Sequence, residues 1–344
     1  MSIMFKFLVL LILACSGLLS SAASAQSAVG YDPAVGLKNL QKLDQRLHEI
    51  GYRLVSANSK YCVNQRSNSG LLLHDITQYG DAQLARTAFG FTTPIAVNAV
   101  AAGSIGGRAG IRAGDNLAKI NGQLVENIPV DPVVAKNERP EYQRVASAYL
   151  LLAEALSEGR AKLSVSRNGV AHSVELTPEL TCASRFQIKV DDDRNASANG
   201  KIVSISSALA EYFADDDEFA AVAAHELAHN LLNHRDRLNR QKVNRGFFGQ
   251  FGKSARRIKD TEIEADRLSV WLMANAGYDP EAAIRFWTRY GKEHGKGIFS
   301  ASTHYRWKKR VKLFEEEIAR MAKTESQEGK RVPPLLLTDQ RASN

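Results

Sequence analysis

The stretch "AAVAAHELAHNLLNH", residues 220–234, sets three histidines and a glutamate into a run of alanines and leucines. Strong helix formers dominate it, and Asp215 to Glu218 just ahead supply the negative charge that favours a helix N-terminus. Unpaired ionisable groups among apolar neighbours are costly, so these side chains need a common partner. At about 100° per residue, His225 and His229 lie about 40° apart on one helix face, and both imidazoles can reach one ion. Glu226 borders that face. The pattern suits Zn²⁺, which takes neutral imidazole nitrogens and leaves room for a water whose proton a glutamate accepts. His234 stands about 180° around the helix from His225 and is expected to point away from the ion.

A catalytic zinc site needs another protein ligand. "KDTEIEADRLSVWLMANAGYDP", from Lys259, offers acids on a second predicted helix. Glu262 and Asp266 are four apart on one face, whereas Glu264 sits about 200° from Glu262. Spacing therefore couples Glu262 with Asp266: one can bind the metal while the other orients a ligating histidine.

The 344 residues allow two compact domains, and a hydrophobic content of 44% leaves apolar side chains for a core in each. A net charge of +8 is modest for this length, so charge alone does not argue for nucleic acid. "MSIMFKFLVLLILACSGLLSSAASAQ" has Lys6, an apolar run of about 13 residues and Ala23-Ser24-Ala25 before Gln26, the pattern of a cleaved secretory signal. Cys15, after "LILA", offers a competing lipoprotein reading. Cys62 and Cys182 remain after processing. In an oxidising compartment they can pair and close a loop of about 120 residues; two buried thiols are the alternative.

Apolar residues at helical spacing from Leu40 to Leu54 predict a leading helix. Further on, "AFGFTTPIAVNAVAAGSIGGRAGIRAGDNLAKINGQLV" alternates tight glycine turns with short β-branched runs, the texture of a small β-rich module. It resembles a PDZ domain over about residues 85–178. That resemblance implies a carboxylate-binding loop at Phe89, Gly90 and Phe91 and a groove that takes a peptide, by its C-terminus, beside a sheet edge. "YLLLAEALSEG" is expected to be the helix flanking the groove, and "AKLSVSRNGVAHSVELTP" the closing strands.

The H-E-x-x-H, the later E-x-E-A-D, "AGYDPEAAIRFW" and the late "STH" are together similar to the zinc metallopeptidases of the HtpX, BepA and CAAX prenyl protease family. The resemblance implies Glu262 as the metal ligand beside His225 and His229, one Zn²⁺ per chain, Glu226 as general base and Asp266 as support. It further implies a cleft edge at Asn195, Ala196 and Ala198, a histidine near the metal or the oxyanion at His304, and a basic partner at Arg310. Tyr305 stands where the family usually has proline, and Ser206-Ser207 replaces its Gly-Leu.

The expected fold is α+β: a mainly helical zincin-type domain with a small sheet, plus an inserted β-rich PDZ-like domain. Its divisions are a signal peptide at 1–25, a helix and linker at 26–84, the PDZ-like domain at 85–178, the peptidase domain at 179–322 and a flexible tail at 323–344. The expected activity is zinc-dependent hydrolysis of misfolded or misassembled envelope proteins in the periplasm, without nucleic acid. The basic, phenylalanine-bearing segment 235–259 would touch a membrane surface, cover substrate or be a solvated loop. The competing reading is a peptide-binding or chaperone-like protein with a structural metal, against which Glu226 argues.

Overall fold

The amphipathic repeat at the head of the chain forms α1 (Pro33–Ala57), which buries Leu47, Ile50, Leu54 and Val55 along one stripe. In the computed structural model, residues 32–243, 252–294 and 306–337 are described. The expected signal segment with Cys15 and Gln26, the phenylalanines Phe247, Phe248 and Phe251, and His304 lie outside them. Among the described residues no helix is long and apolar enough to cross a membrane.

After α1 come β1 (Gln65–Ser67), β2 (Leu71–Asp75), α2 (Ala82–Phe89), β3 (Ile95–Val100), α3 (Ile105–Arg108), β4 (Asn116–Ile120) and β5 (Gln123–Leu124). They are followed by α4 (Pro132–Asn137), α5 (Pro140–Ser157), β6 (Ala161–Arg167), β7 (Val170–Leu176) and β8 (Leu180–Cys182). An antiparallel sheet runs β2-β3-β4-β6-β7, with β5 on β4. Asn121-Gly122 takes positive φ at both residues, which lets β4 turn straight back into β5. Leu73, Val97, Leu117 and Leu163 of the sheet meet Leu152 and Leu156 of α5 in one core. The expected start at residue 85 therefore falls too late, because β2 already belongs to this sheet. "GLLLHD" is a short apolar run whose strand character shows only once β3 pairs with it.

The chain enters and leaves the sheet through an antiparallel ladder of β1 and β8 in which Gln65 faces Cys182. Beside it Cys62 and Cys182 form a disulfide, with Cα atoms 5.4 Å apart.

The second core belongs to β9 (Arg185–Lys189), β10 (Ala196–Ala198), β11 (Ile202–Ser206) and the helices after them. These helices are α6 (Ser207–Tyr212), α7 (Asp216–Leu231), α8 (His234–Arg240), α9 (Gly252–Asn275), α10 (Ala282–His294) and α11 (Trp307–Ala322). In strand order β10-β11-β9, β11 is parallel to β9 and antiparallel to β10. The basic segment 235–259, for which the sequence leaves a membrane contact, a substrate cover and a solvated loop open, is helical at both ends of its described part, as α8 and the first turns of α9. The tail beyond 323 is not frayed over its described part. Asn275 exchanges hydrogen bonds with the Arg331 backbone, and Leu336 is buried in the core.

Helix α1 braces both cores. Gly51 permits its close approach to β9, since a Cβ there would stand 2.3 Å from the Phe186 ring. Toward the β2–β7 sheet, Asp44 accepts from the Asn98 amide at 2.9 Å, and burial lifts its carboxyl to about 6 against the hydrogen bonds from Asn98 and the Ile188 backbone. A carboxyl raised on folding stabilises below its unfolded pKa, and that contribution is lost as pH rises through about 6. Asp44→Asn should thus raise stability at pH 8 by about 1–2 kcal/mol, with the gain vanishing near pH 4. Denaturant melts at the two pH values check this, and an equal effect at both would refute it.

Candidate metal centre

Asp215 caps α7 by accepting from the Glu218 amide, and Asp216, Asp217 and Glu218 fill its first turn. The helix then runs through the core, its alanines letting neighbouring helices approach. From Glu218 to Asn230 only Glu226 and His229 are not buried. Metal chemistry and solvent thus meet at one spot on an otherwise dry helix.

Helix α9 lies against α7. The Nε2 atoms of His225 and His229 are 3.2 Å apart, and the Glu262 carboxylate stands 3.4 Å from the first and 3.5 Å from the second. A tetrahedral ion with bonds of 2.0–2.1 Å separates its ligand atoms by about 3.3–3.4 Å. The 3.4 Å contact is made by Glu262 Oε2 and the 3.5 Å contact by Oε1, so the three groups converge close to that spacing, and a small turn of the carboxylate brings one oxygen onto a shared ion. Among the described residues, His225, His229 and Glu262 are the group so arranged.

His225 Nδ1 is 2.8 Å from Asp266 Oδ1, leaving Nε2 to face the ligand cluster. Asp266 is fully buried and held by Arg310 of α11, whose Nε donates to Oδ2 at 2.8 Å and whose Nη2 donates to Oδ1. The Arg310 guanidinium in turn lies 3.4 Å from the centroid of the Trp287 ring, an aromatic contact that spacing along the chain does not foretell.

Burial pushes His229 down to about 3, so it is neutral with a lone pair to offer. His225 goes the other way: burial lowers it, but its hydrogen bonds to Asp266 and Glu262 outweigh that and carry it to about 10. The proton so held lies between imidazole and carboxylate, where a divalent ion would displace it. Burial raises the Glu226 carboxyl to about 7; the charges of Glu262 and Asp266 push the same way, and those of His225 and Arg310 oppose.

The expected substrate edge falls on β10, the outer strand of its sheet. Asn195 is tied to Ser206 by backbone and side chain, and Ala196 packs against the core that holds α7. Ser206, one of the two serines standing for Gly-Leu, also caps α6.

Phe89, Gly90 and Phe91 do not form an open carboxylate loop. Phe89 ends α2, and Gly90 closes that helix in the left-handed region, with its amide bound to the Arg86 carbonyl. Both phenylalanines are buried against His74 and Tyr79. The groove between a sheet edge and a helix lies instead between β2 and α5. There the Leu73 amide donates to the Tyr149 hydroxyl at 2.6 Å, the hydroxyl reaches the Leu71 carbonyl at 3.4 Å, and Arg144 pairs with Asp75. A peptide adding to β2 must first displace Tyr149.

His234 is also misplaced by helical spacing. It turns back to His229, with their Nδ1 atoms 2.9 Å apart, and its Nε2 lies 3.0 Å from Glu264 Oε2.

Two convergent histidines, a carboxylate from a second helix and an accessible glutamate define a metallopeptidase-type centre. The family model described as peptidase family M48 matches residues 168–248, and that of the PDZ domain matches residues 65–145. It is similar to the mitochondrial metalloendopeptidase OMA1 of Schizosaccharomyces pombe, at 31% identity over 122 residues, 29% of this chain and 36% of that protein. It is also similar to the mitochondrial metalloendopeptidase OMA1 of Arabidopsis thaliana, at 31% over 134 residues, 34% of this chain and 27% of that protein. The matched stretch thus spans only about a third of the length of these relatives.

Proposed function

We propose that this chain is a zinc-dependent endopeptidase that acts in the periplasm on misfolded or misassembled envelope proteins. The observation that carries this reading is the tetrahedral spacing of His225, His229 and Glu262 beside the accessible Glu226 on one face of α7. His225, His229 and Glu262 would hold the zinc, which when bound would supply a Lewis acid for the scissile carbonyl and lower the pKa of the attacking water. Glu226 takes the proton of that water and returns it to the departing amine. Asp266, clamped by Arg310, keeps His225 in the tautomer that ligates through Nε2. Substrate runs extended along β10, whose outer edge offers backbone groups for strand addition.

The disulfide between Cys62 and Cys182 and the signal-like N-terminus support an oxidising, exported location. The PDZ domain supports protein substrates, with peptide capture at β2 conditional on release of Tyr149.

The purified mature chain is expected to hold one zinc by elemental analysis and to cleave an unfolded protein such as casein. A chelator should remove both properties together, and added zinc should restore them. Cleavage that survives complete metal removal would sink the proposal. Mass spectrometry of the mature N-terminus, showing Gln26 or an acylated Cys15, tests the export reading and its lipid-tethered variant.

A further inference from the structure

Helix α7 stops at Leu231 because Asn233 takes the left-handed conformation, with φ 50° and ψ 36°. The chain reverses there and begins α8, which turns the His234 ring back beneath His229. His234 is almost completely buried, at 2% exposure, so the polar atoms around its ring are its permanent partners. Glu264, which carries the far end of this contact, also accepts from Arg237 of α8.

Proton placement in this chain of contacts follows from the ligand geometry. His229 faces the metal cluster through Nε2, so in its ligating form that atom carries the lone pair and Nδ1 carries the hydrogen. The atom 2.9 Å from that N–H is His234 Nδ1, which must accept. A neutral imidazole has one donor and one acceptor, so His234 then holds its hydrogen on Nε2. The atom 3.0 Å beyond is Glu264 Oε2, a carboxylate oxygen kept charged by Arg237. Reversing any one tautomer sets two lone pairs or two N–H groups against each other inside the core.

We infer that His234 and Glu264 are positioning residues for the metal centre, orienting His229 through a histidine-to-carboxylate relay as Asp266 orients His225 directly. Each acid of "TEIEAD" then has its own connection to the site. Glu262 ligates, Asp266 holds one histidine, and Glu264 holds the other across His234. The inference rests on the zinc-site reading above and concerns ligand orientation, with neither residue touching substrate.

The test is zinc affinity, read by competition with a chromogenic chelator on the full mature chain, alongside the visible absorption of the cobalt-substituted protein. His234→Phe fills the volume without a polar atom and should weaken zinc binding about 10–100-fold and alter the cobalt bands. His234→Gln can accept from His229 and donate to Glu264 through one amide, and should recover most of the loss. A residue serving only to pack α8 would lower the melting temperature of the metal-free protein yet leave zinc affinity unmoved. Unchanged affinity in His234→Phe, or a glutamine variant as weak as the phenylalanine one, overturns the relay. Should His234→Phe fail to fold, Glu264→Ala reports the same chain from its half-exposed end, and wild-type affinity there overturns it too. Tight zinc in wild type and its loss in Glu262→Ala would leave the peptidase reading standing even then.

Discussion

Replacing Glu226 with glutamine is expected to cut turnover on an unfolded protein by about 10²–10⁴-fold while leaving one zinc bound. The two side chains have nearly the same shape, so the exchange leaves α7 packed as before. What disappears is an atom able to take a proton. Three features converge on Glu226 as that atom. It and His229 are the accessible residues in the buried length of α7, it is adjacent in sequence to His225, and partial burial raises its carboxyl above the ordinary carboxylate range. A carboxylate of that basicity exchanges protons with water and with a leaving amine at neutral pH, which an ordinary surface glutamate does poorly. Zinc content and KM should be little changed, because the exchange leaves the three ligands and the backbone edge of β10 as they are. Near-normal turnover would remove Glu226 as the base. Loss of zinc would instead mean that Glu226 holds the metal site together.

The pairing of Glu262 with Asp266 was legible in the sequence because both sit on one uninterrupted helix, where a fixed rotation per residue holds. The same arithmetic failed for His234. It assumes the helix continues, and Asn233 breaks it one residue earlier; asparagine is among the few residues that enter the left-handed region readily. Glu264 was passed over for a related reason. Its rotation away from Glu262 is real, but another helix, α8, comes round to meet it, and spacing within α9 says nothing about what stands opposite. The β-rich module was visible from its glycine turns, yet its binding loop was misread. "AFGF" has the small-and-aromatic look of such a loop, while Ala82–Phe89 is helical and Asp81 supplies its cap. An aspartate followed by "AQLARTAF" was the available signal. Nothing in the sequence indicates that Tyr149 occupies the β2 edge, since that depends on how α5 lies against the sheet.

Arg310→Met should destabilise the metal-free protein by about 3–5 kcal/mol at neutral pH. Arg310 and Asp266 are 4% and 0% exposed, so the pair is cut off from water on both sides. Methionine fills much of the arginine stem's volume but leaves the Asp266 charge with His225 as its remaining partner, and it removes the guanidinium from the Trp287 face. Breaking a buried pair at one end costs more than the pair contributes, because the surviving charge has no solvent to fall back on. In the intact protein, burial raises the Asp266 carboxyl, but Arg310 and His225 outweigh it and hold the group below the ordinary range. A depressed carboxyl stabilises above its unfolded pKa and loses that contribution as pH falls through its folded value, so the penalty of Arg310→Met should shrink in acid. Melts of the metal-free form keep zinc linkage out of the comparison. Zinc affinity of the same variant should fall as well, since a less firmly held Asp266 is a poorer anchor for the His225 tautomer. A neutral-pH cost under about 1 kcal/mol would show that Asp266 is held by His225 alone, and that the cation from α11 is packing rather than the clamp of the centre.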